Sequence, residues 1–299
     1  MNQISEGLFE GIWLPLITPF RDGELDLPAA QQLARRYADA GLQGLVVCGT
    51  TGEAATLSAD EKLRLLDSVL EAVAGRCQVV MGLAGNDTRA VLNALPPLRA
   101  RPLAGLLVAA PYYTRPSQAG LRAHFEAIAQ GTDRPIILYN IPYRTGVNLE
   151  LATVQALCAQ ANIVAIKESG GNLNQLMDLI RETRLQVLSG EDHLIYTTLC
   201  LGGAGAIAAA AHLRPEQYAA MYRAFRAGRV EQAREISYRL LPLIRALFSE
   251  PNPGPIKAAL ALEGRIAEEL RLPMTPASEA CRRALAALLR DAPNKKDLP

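Results

Sequence analysis

The chain has 299 residues, 49% of them hydrophobic, enough to bury a large core in one large α/β domain or in two. Its 31 basic and 30 acidic residues leave a formal net charge of +1, so no overall field steers it towards nucleic acid or a membrane surface. It has no run of roughly 18 apolar residues that could span a bilayer.

The N-terminus carries acids and no apolar stretch followed by a cleavage site, so the sequence reads as cytoplasmic, without a secretory signal. Short β-branched runs then alternate with helical patterns. Strands are expected at 12–20 and 44–48. Ser58 and Glu61 form a capping box that starts a helix from 60 to 73, with Leu63, Leu66, Leu70 and Val73 at helical spacing. Further strands fall at 78–84, 105–109 and 135–140, and Asn148 reads as the N-cap of a helix carrying Val154 and Leu157. The last three strands are expected at 163–167, 186–189 and 205–208. Such alternation, without a Gly-x-Gly-x-x-Gly fingerprint, favours a closed (β/α)8 TIM barrel over a doubly wound sheet. That barrel is expected over 1–227. Residues 228–299, rich in Ala, Leu, Arg and Glu, read as a C-terminal helical extension packed on it. The prolines at 251–255 break the extension with a turn, and the polar stretch 291–299 is expected to fray. Cys48, Cys77, Cys158, Cys200 and Cys281 lie far apart with no CxxC pair, and the histidines show no ligand spacing. The cysteines read as buried small apolar residues, and no metal site or disulfide framework is expected.

In a barrel, chemistry belongs at the C-terminal ends of the strands, and the unusual polar residues fall there. The most informative is Lys167, which closes the apolar run Ile163-Val164-Ala165-Ile166. A strand buried on both faces has no routine use for an ammonium, and a lysine that escapes the cost of burial does so by losing its proton. The alternative is a head that reaches solvent or pairs with Glu168. Gly49, Thr50, Thr51, Gly52 and Glu53 form a turn whose N–H groups and hydroxyls suit a small carboxylate, or else an ordinary glycine-rich turn. Tyr139 and Tyr113 supply phenols that stay neutral at pH 7. Joined by the Thr50 hydroxyl, they could pass a proton without a charged intermediate. Arg144 follows Pro142 in a rigid loop suited to gripping a carboxylate. Together these residues describe a lysine-dependent aldolase or lyase that forms an imine with a ketone and needs neither metal nor organic cofactor.

GTTGE at 49–53, PYY at 111–113, YNIPYRTG at 139–146, IKES at 166–169 and LSG at 188–190 resemble the pyruvate-dependent class I aldolases of the dihydrodipicolinate synthase and N-acetylneuraminate lyase superfamily. The likeness runs from LPLITPF at 14–20 to EPNPGPIKAAL at 250–260, and Arg144 places it nearest the synthase branch. The resemblance implies an imine between Lys167 and pyruvate, proton shuttling by Tyr139, and a link through Thr50 to Tyr113 of a neighbouring subunit, in a homodimer or homotetramer. It implies that Thr50 and Thr51 hold the pyruvate carboxylate, that Gly190 and Ile207 line the site, and that the second substrate is aspartate-4-semialdehyde. Asn86 and Tyr112 match positions where synthases bind inhibitory lysine, but Ala59 and Ala90 replace polar residues there, so weak or absent inhibition is expected. A sister aldolase acting on another 2-oxo acid, or a barrel that only binds one, stays open.

Overall fold

A computed structural model describes residues 7–290. Eight strands form a closed parallel barrel: β1 (Gly11–Pro15), β2 (Gly44–Val47), β3 (Gln78–Leu83), β4 (Gly105–Ala109), β5 (Ile136–Asn140), β6 (Ile163–Glu168), β7 (Gln186–Ser189) and β8 (Gly205–Ile207). Each pairs with its sequence neighbours, and β8 closes on β1. The expected stretch 291–299 lies outside the described residues.

The side-chain period of two sorts each strand into layers. Inward residues such as Trp13, Val46, Val80, Leu107, Ile137, Leu188 and Ile207 fill the barrel, and a larger outer core joins strands to helices. Each fully buried Leu, Ile or Val side chain contributes about 1.5–3 kcal/mol relative to exposure. Gly44 is required at the base of β2, because any side chain there would strike the Trp13 ring. The ladder between β5 and β6 carries one irregularity. Ile163 pairs with Ile136 but Ala165 pairs with Ile137, which leaves Val164 bulged.

The strands stand close to their expected positions, with one correction. β1 stops at Pro15: the Leu16 N–H still bonds the Val46 carbonyl at 2.9 Å, but the Ile17 N–H turns away to His212 Nε2 at 3.1 Å, and the Thr18 hydroxyl bonds the Gly52 carbonyl at 2.6 Å. Phe20–Arg21 then pairs with Glu24–Leu25 as a small antiparallel ribbon.

The capping box at Ser58 and Glu61 forms as expected and starts the helix Ala59–Val73. Its buried stripe runs through Leu65, Leu66, Val69, Ala72 and Val73, with Leu63 and Leu70 at the edges. Asn148 does not cap the helix Leu151–Leu157. It is spent on Asn140 and Gln175, while Gln118 Oε1 accepts from the Glu150 N–H and the Thr153 hydroxyl. Cys48 and Cys281 are buried as expected, but Cys200 is exposed and Cys77 and Cys158 are half-buried.

Past residue 228 come the helices Val230–Leu247, Gly254–Leu262 and Glu279–Arg290. The first packs against Pro215–Arg226 and Ile195–Cys200, and the second against the turn Ala210–His212 at the strand ends. The break expected at 251–255 is shorter, since Pro255 already sits in the first turn of Gly254–Leu262, where no N–H is needed.

Candidate active site

β5 and β6 place Tyr139 directly opposite Lys167, with the ammonium nitrogen 4.4 Å from the centre of the phenol ring. Both side chains point into the barrel mouth, and Lys167 is 6% exposed. Glu168 points the other way. Its carboxylate accepts from Asn140 Nδ2 at 3.0 Å, the Gly170 N–H at 2.6 Å and Gln175 Nε2 at 3.2 Å, so it is not the partner of Lys167. Among the described residues Lys167 makes no salt bridge, and its head does not escape to solvent. Burial pushes its pKa down to about 8; the acids Asp192 and Glu191 pull upward, and Arg144 adds to the lowering. Desolvation wins.

Asp192 is the acid felt most by Lys167. Its buried carboxyl is itself raised by burial, although the Ala210 N–H donates to it at 2.6 Å and ties the ends of β7 and β8 together. Lysine and aspartic acid are therefore both driven towards their neutral forms. Burial also raises the Tyr139 phenol to about 12, against the opposing pull of the Thr50 and Ser169 hydroxyls and Arg144. Tyr139 thus keeps its proton in the resting site, ready to donate it.

The turn after β2 folds as a 3-10 turn over Thr50–Gly52. The N–H groups of Gly52 and Glu53 bond the carbonyls of Gly49 and Thr50, so the first two N–H groups of the turn have no acceptor within it. Cys48 and Glu53, both non-glycine, hold left-handed backbone at φ 57° and 51° on either side of this turn. Such conformations persist only where surroundings enforce them. Lys257, fully buried, pairs with Glu53 and donates to the Glu269 carbonyl at 2.7 Å. The Arg271 N–H donates to the second Glu53 oxygen at 3.1 Å. The Thr51 hydroxyl accepts from Asn252 Nδ2 at 2.9 Å.

A cavity of about 320 Å³ opens here, lined among others by Gly49, Thr50, Tyr139, Arg144, Asn252 and Tyr112. Lys167, Thr51 and Ile207 are buried and do not line it, but each touches its wall: Lys167 faces Tyr139, Thr51 bonds Asn252, and Ile207 shares the inner layer with Tyr139. Gly190 closes over the lysine: a Cβ there would lie 2.8 Å from Lys167 Cε and would collide with the Ser169 hydroxyl. The structure thus brings together Lys167, Tyr139, Thr50, Thr51, Arg144, Gly190, Ile207 and Gly49. It does not bring in Tyr113, which is 86% exposed at φ 70°, while its neighbour Tyr112 lines the cavity. Tyr143 stacks with its ring 5.7 Å from the Arg144 guanidinium. Sequence reasoning gave no role to Asn252, Lys257, Asp192 or Ser169; for the last, which closes the IKES run, the alternation from Lys167 was the available signal.

A second cavity, of about 420 Å³, adjoins the first through Ala54, Ala55 and Tyr112. It is lined by Ala59, Ala90 and Lys62 and by no acidic side chain, and Asn86 does not line it.

The model of the dihydrodipicolinate synthetase family matches residues 8–292. The chain belongs to that family. It is 41% identical to the 4-hydroxy-tetrahydrodipicolinate synthase of Syntrophus aciditrophicus, over 95% of this chain and 98% of that one. Among solved structures, it superposes on a monomeric dihydrodipicolinate synthase variant with a TM-score of 0.93 at 37% identity, covering 95% of this chain and 96% of the other. The dihydrodipicolinate synthase of Thermotoga maritima gives 0.92 at 38% identity, over 95% and 98% of the two chains.

Proposed function

We propose that this chain is a Schiff-base lyase that condenses pyruvate with L-aspartate-4-semialdehyde to give 4-hydroxy-tetrahydrodipicolinate, a step of lysine and diaminopimelate biosynthesis. The observation that carries this reading is Lys167: a buried amine with no salt bridge among the described residues, lowered to about 8, in register with a protonated tyrosine. At pH 7 roughly a tenth of such lysines are neutral, against fewer than one in a thousand at the unperturbed pKa. The first two N–H groups of the turn, the Thr50 hydroxyl and the proton of the Thr51 hydroxyl suit the pyruvate carboxylate. The amine attacks the keto carbon, water leaves, and loss of a methyl proton gives an enamine that adds to the aldehyde carbon. The imine nitrogen serves as the electron sink, so the proposed chemistry calls for neither metal nor organic cofactor.

Incubation with pyruvate and borohydride is expected to add a pyruvate-derived mass to the peptide carrying Lys167, and turnover is expected to be fastest with aspartate semialdehyde. An unmodified protein would overturn the reading. A different preferred aldehyde would favour a sister aldolase, for which the ring of Tyr143 beside Arg144 is the specific observation.

Arg144 lines the cavity and is the cation placed to hold the second substrate's carboxylate. The R144A variant is expected to lose about 10- to 100-fold in kcat/KM for the aldehyde, the worth of one charge-assisted hydrogen bond, while borohydride trapping with pyruvate persists. The exposed Tyr113 fits a role in the site of a second copy of this chain, as in a homodimer or homotetramer. The cavity lined by Lys62 and no acid offers nothing to neutralise a side-chain ammonium. Free lysine is therefore expected to leave the rate unchanged, and full inhibition at micromolar lysine in a dose–response assay would contradict this.

A further inference from the structure

Ser169 carries a hydroxyl beside Lys167 to which the proposed reaction gives no task. Alternation from the end of β6 turns Lys167 inward, Glu168 outward and Ser169 inward again. The Ser169 N–H is spent on the Asn140 carbonyl at 2.9 Å. Its side chain is almost fully buried, at 1% exposure, and among the described residues its hydroxyl makes no well-formed hydrogen bond, lying only near enough to the Tyr139 phenol to lower its pKa. Leaving a buried hydroxyl unpaired costs about 1–3 kcal/mol, so a native structure that does so needs a reason.

The hydroxyl's place supplies one. A single added carbon at Gly190 would press on both the Ser169 hydroxyl and Lys167 Cε, so the two side chains are close neighbours. Tyr139 feels the same hydroxyl from the opposite strand. The missing partner thus belongs between lysine and tyrosine, where the keto oxygen of a bound substrate must pass.

We propose that Ser169 is a catalytic hydrogen-bond donor to the oxygen of the carbinolamine formed on Lys167. This deepens the proposed function and rests on it. The neutral amine bonds to the keto carbon, and the π pair of the C=O bond moves onto oxygen. The proton shed by nitrogen reaches that oxygen through Tyr139. A further proton from Tyr139 then turns the hydroxyl into water, and the C–O bond breaks as the nitrogen lone pair closes the C=N bond. The products are water, a protonated imine and a tyrosinate, so atoms and charge balance. Ser169 donates a hydrogen bond to the oxygen as its charge grows and gives up no proton of its own.

The test measures single-turnover imine formation from pyruvate, quenched with borohydride at intervals, in the full-length chain and in S169A and S169C. Cysteine keeps the shape but is a weak donor. Both variants are expected to form the imine about 10- to 100-fold more slowly, with half-saturating pyruvate changed by less than about threefold and melting unaltered. S169A within about twofold of the unaltered chain would overturn the proposal. So would S169C restoring the rate lost in S169A, which would assign the residue to packing. Failure of the unaltered chain to trap pyruvate would instead overturn the imine reading itself.

Discussion

Replacing Lys167 with alanine is expected to lower turnover by on the order of 10⁴-fold or more and to abolish the borohydride-trapped adduct, while the barrel still folds. The size of the effect follows from the role. A nucleophile that forms a covalent bond with the substrate has no substitute in the site, and Tyr139 and Thr50 can move protons only on an intermediate that exists. The fold survives because Lys167 makes no salt bridge whose loss would strand a charge, and its burial opposes its charged form. K167M, which keeps most of the volume, is expected to melt no lower than the unaltered chain. The pH dependence has a defined sign. Burial lowers the lysine, and the reactive form is the deprotonated one, so the rate of imine formation should climb as pH rises towards about 8 and level off above it. Circular dichroism, mass spectrometry and a coupled assay check the three parts. Residual turnover above one part in a hundred or so would remove Lys167 from the chemistry.

The second large effect is on stability and comes from the other buried lysine. K257M is expected to destabilise the chain by about 3–5 kcal/mol, read from the midpoint of denaturant unfolding. Lys257 is fully buried over the Phe20 ring, 4.3 Å from its centre, and is held between Glu53 and the Glu269 carbonyl. Its loss leaves the buried Glu53 carboxylate with only the Arg271 N–H. The double variant E53Q/K257M removes both charges and is expected to regain most of the lost stability; if it were as unstable as K257M alone, the pair would not be the cause. The two lysines differ in what they face. One has an acid in contact and serves the fold; the other has none in contact and serves chemistry. Because Glu53 follows the Thr50–Thr51 turn in left-handed backbone, K257M should also weaken pyruvate trapping.

Much of this site was legible because parallel strands buried on both faces are short apolar runs that stop abruptly where the mouth begins. Tyr139 and Lys167 stand at such a stop, and Thr50 and Arg144 in the turns that follow one. What could not be read came from afar or from competition. Asn252 reaches Thr51 across 201 residues of chain, and Lys257 reaches Glu53 from the same distant segment, with nothing local to announce either. Asn148 looks like a cap in its own neighbourhood, but Asn140 and Gln175 claim its side chain first. β1 was overextended because Leu16, Ile17 and Phe20 are apolar for the sake of the loop packing against His212 and Gly52, and not for the sheet. Tyr113 stands in the same run as Tyr112, but its left-handed backbone leaves its side chain exposed, which nothing in the run announces.

The unpaired Val164 has a wider meaning for how such a strand tolerates change. Ile163 and Lys167 are four positions apart and would share a face under strict alternation, yet one serves the outer layer and the other the interior. Above that point, Ala165 to Glu168 are clamped by ladders on both sides. A residue gained or lost at the lower rim is thus absorbed before it reaches the amine, so insertions and deletions can accumulate at the foot of β6 while the working end keeps its aim.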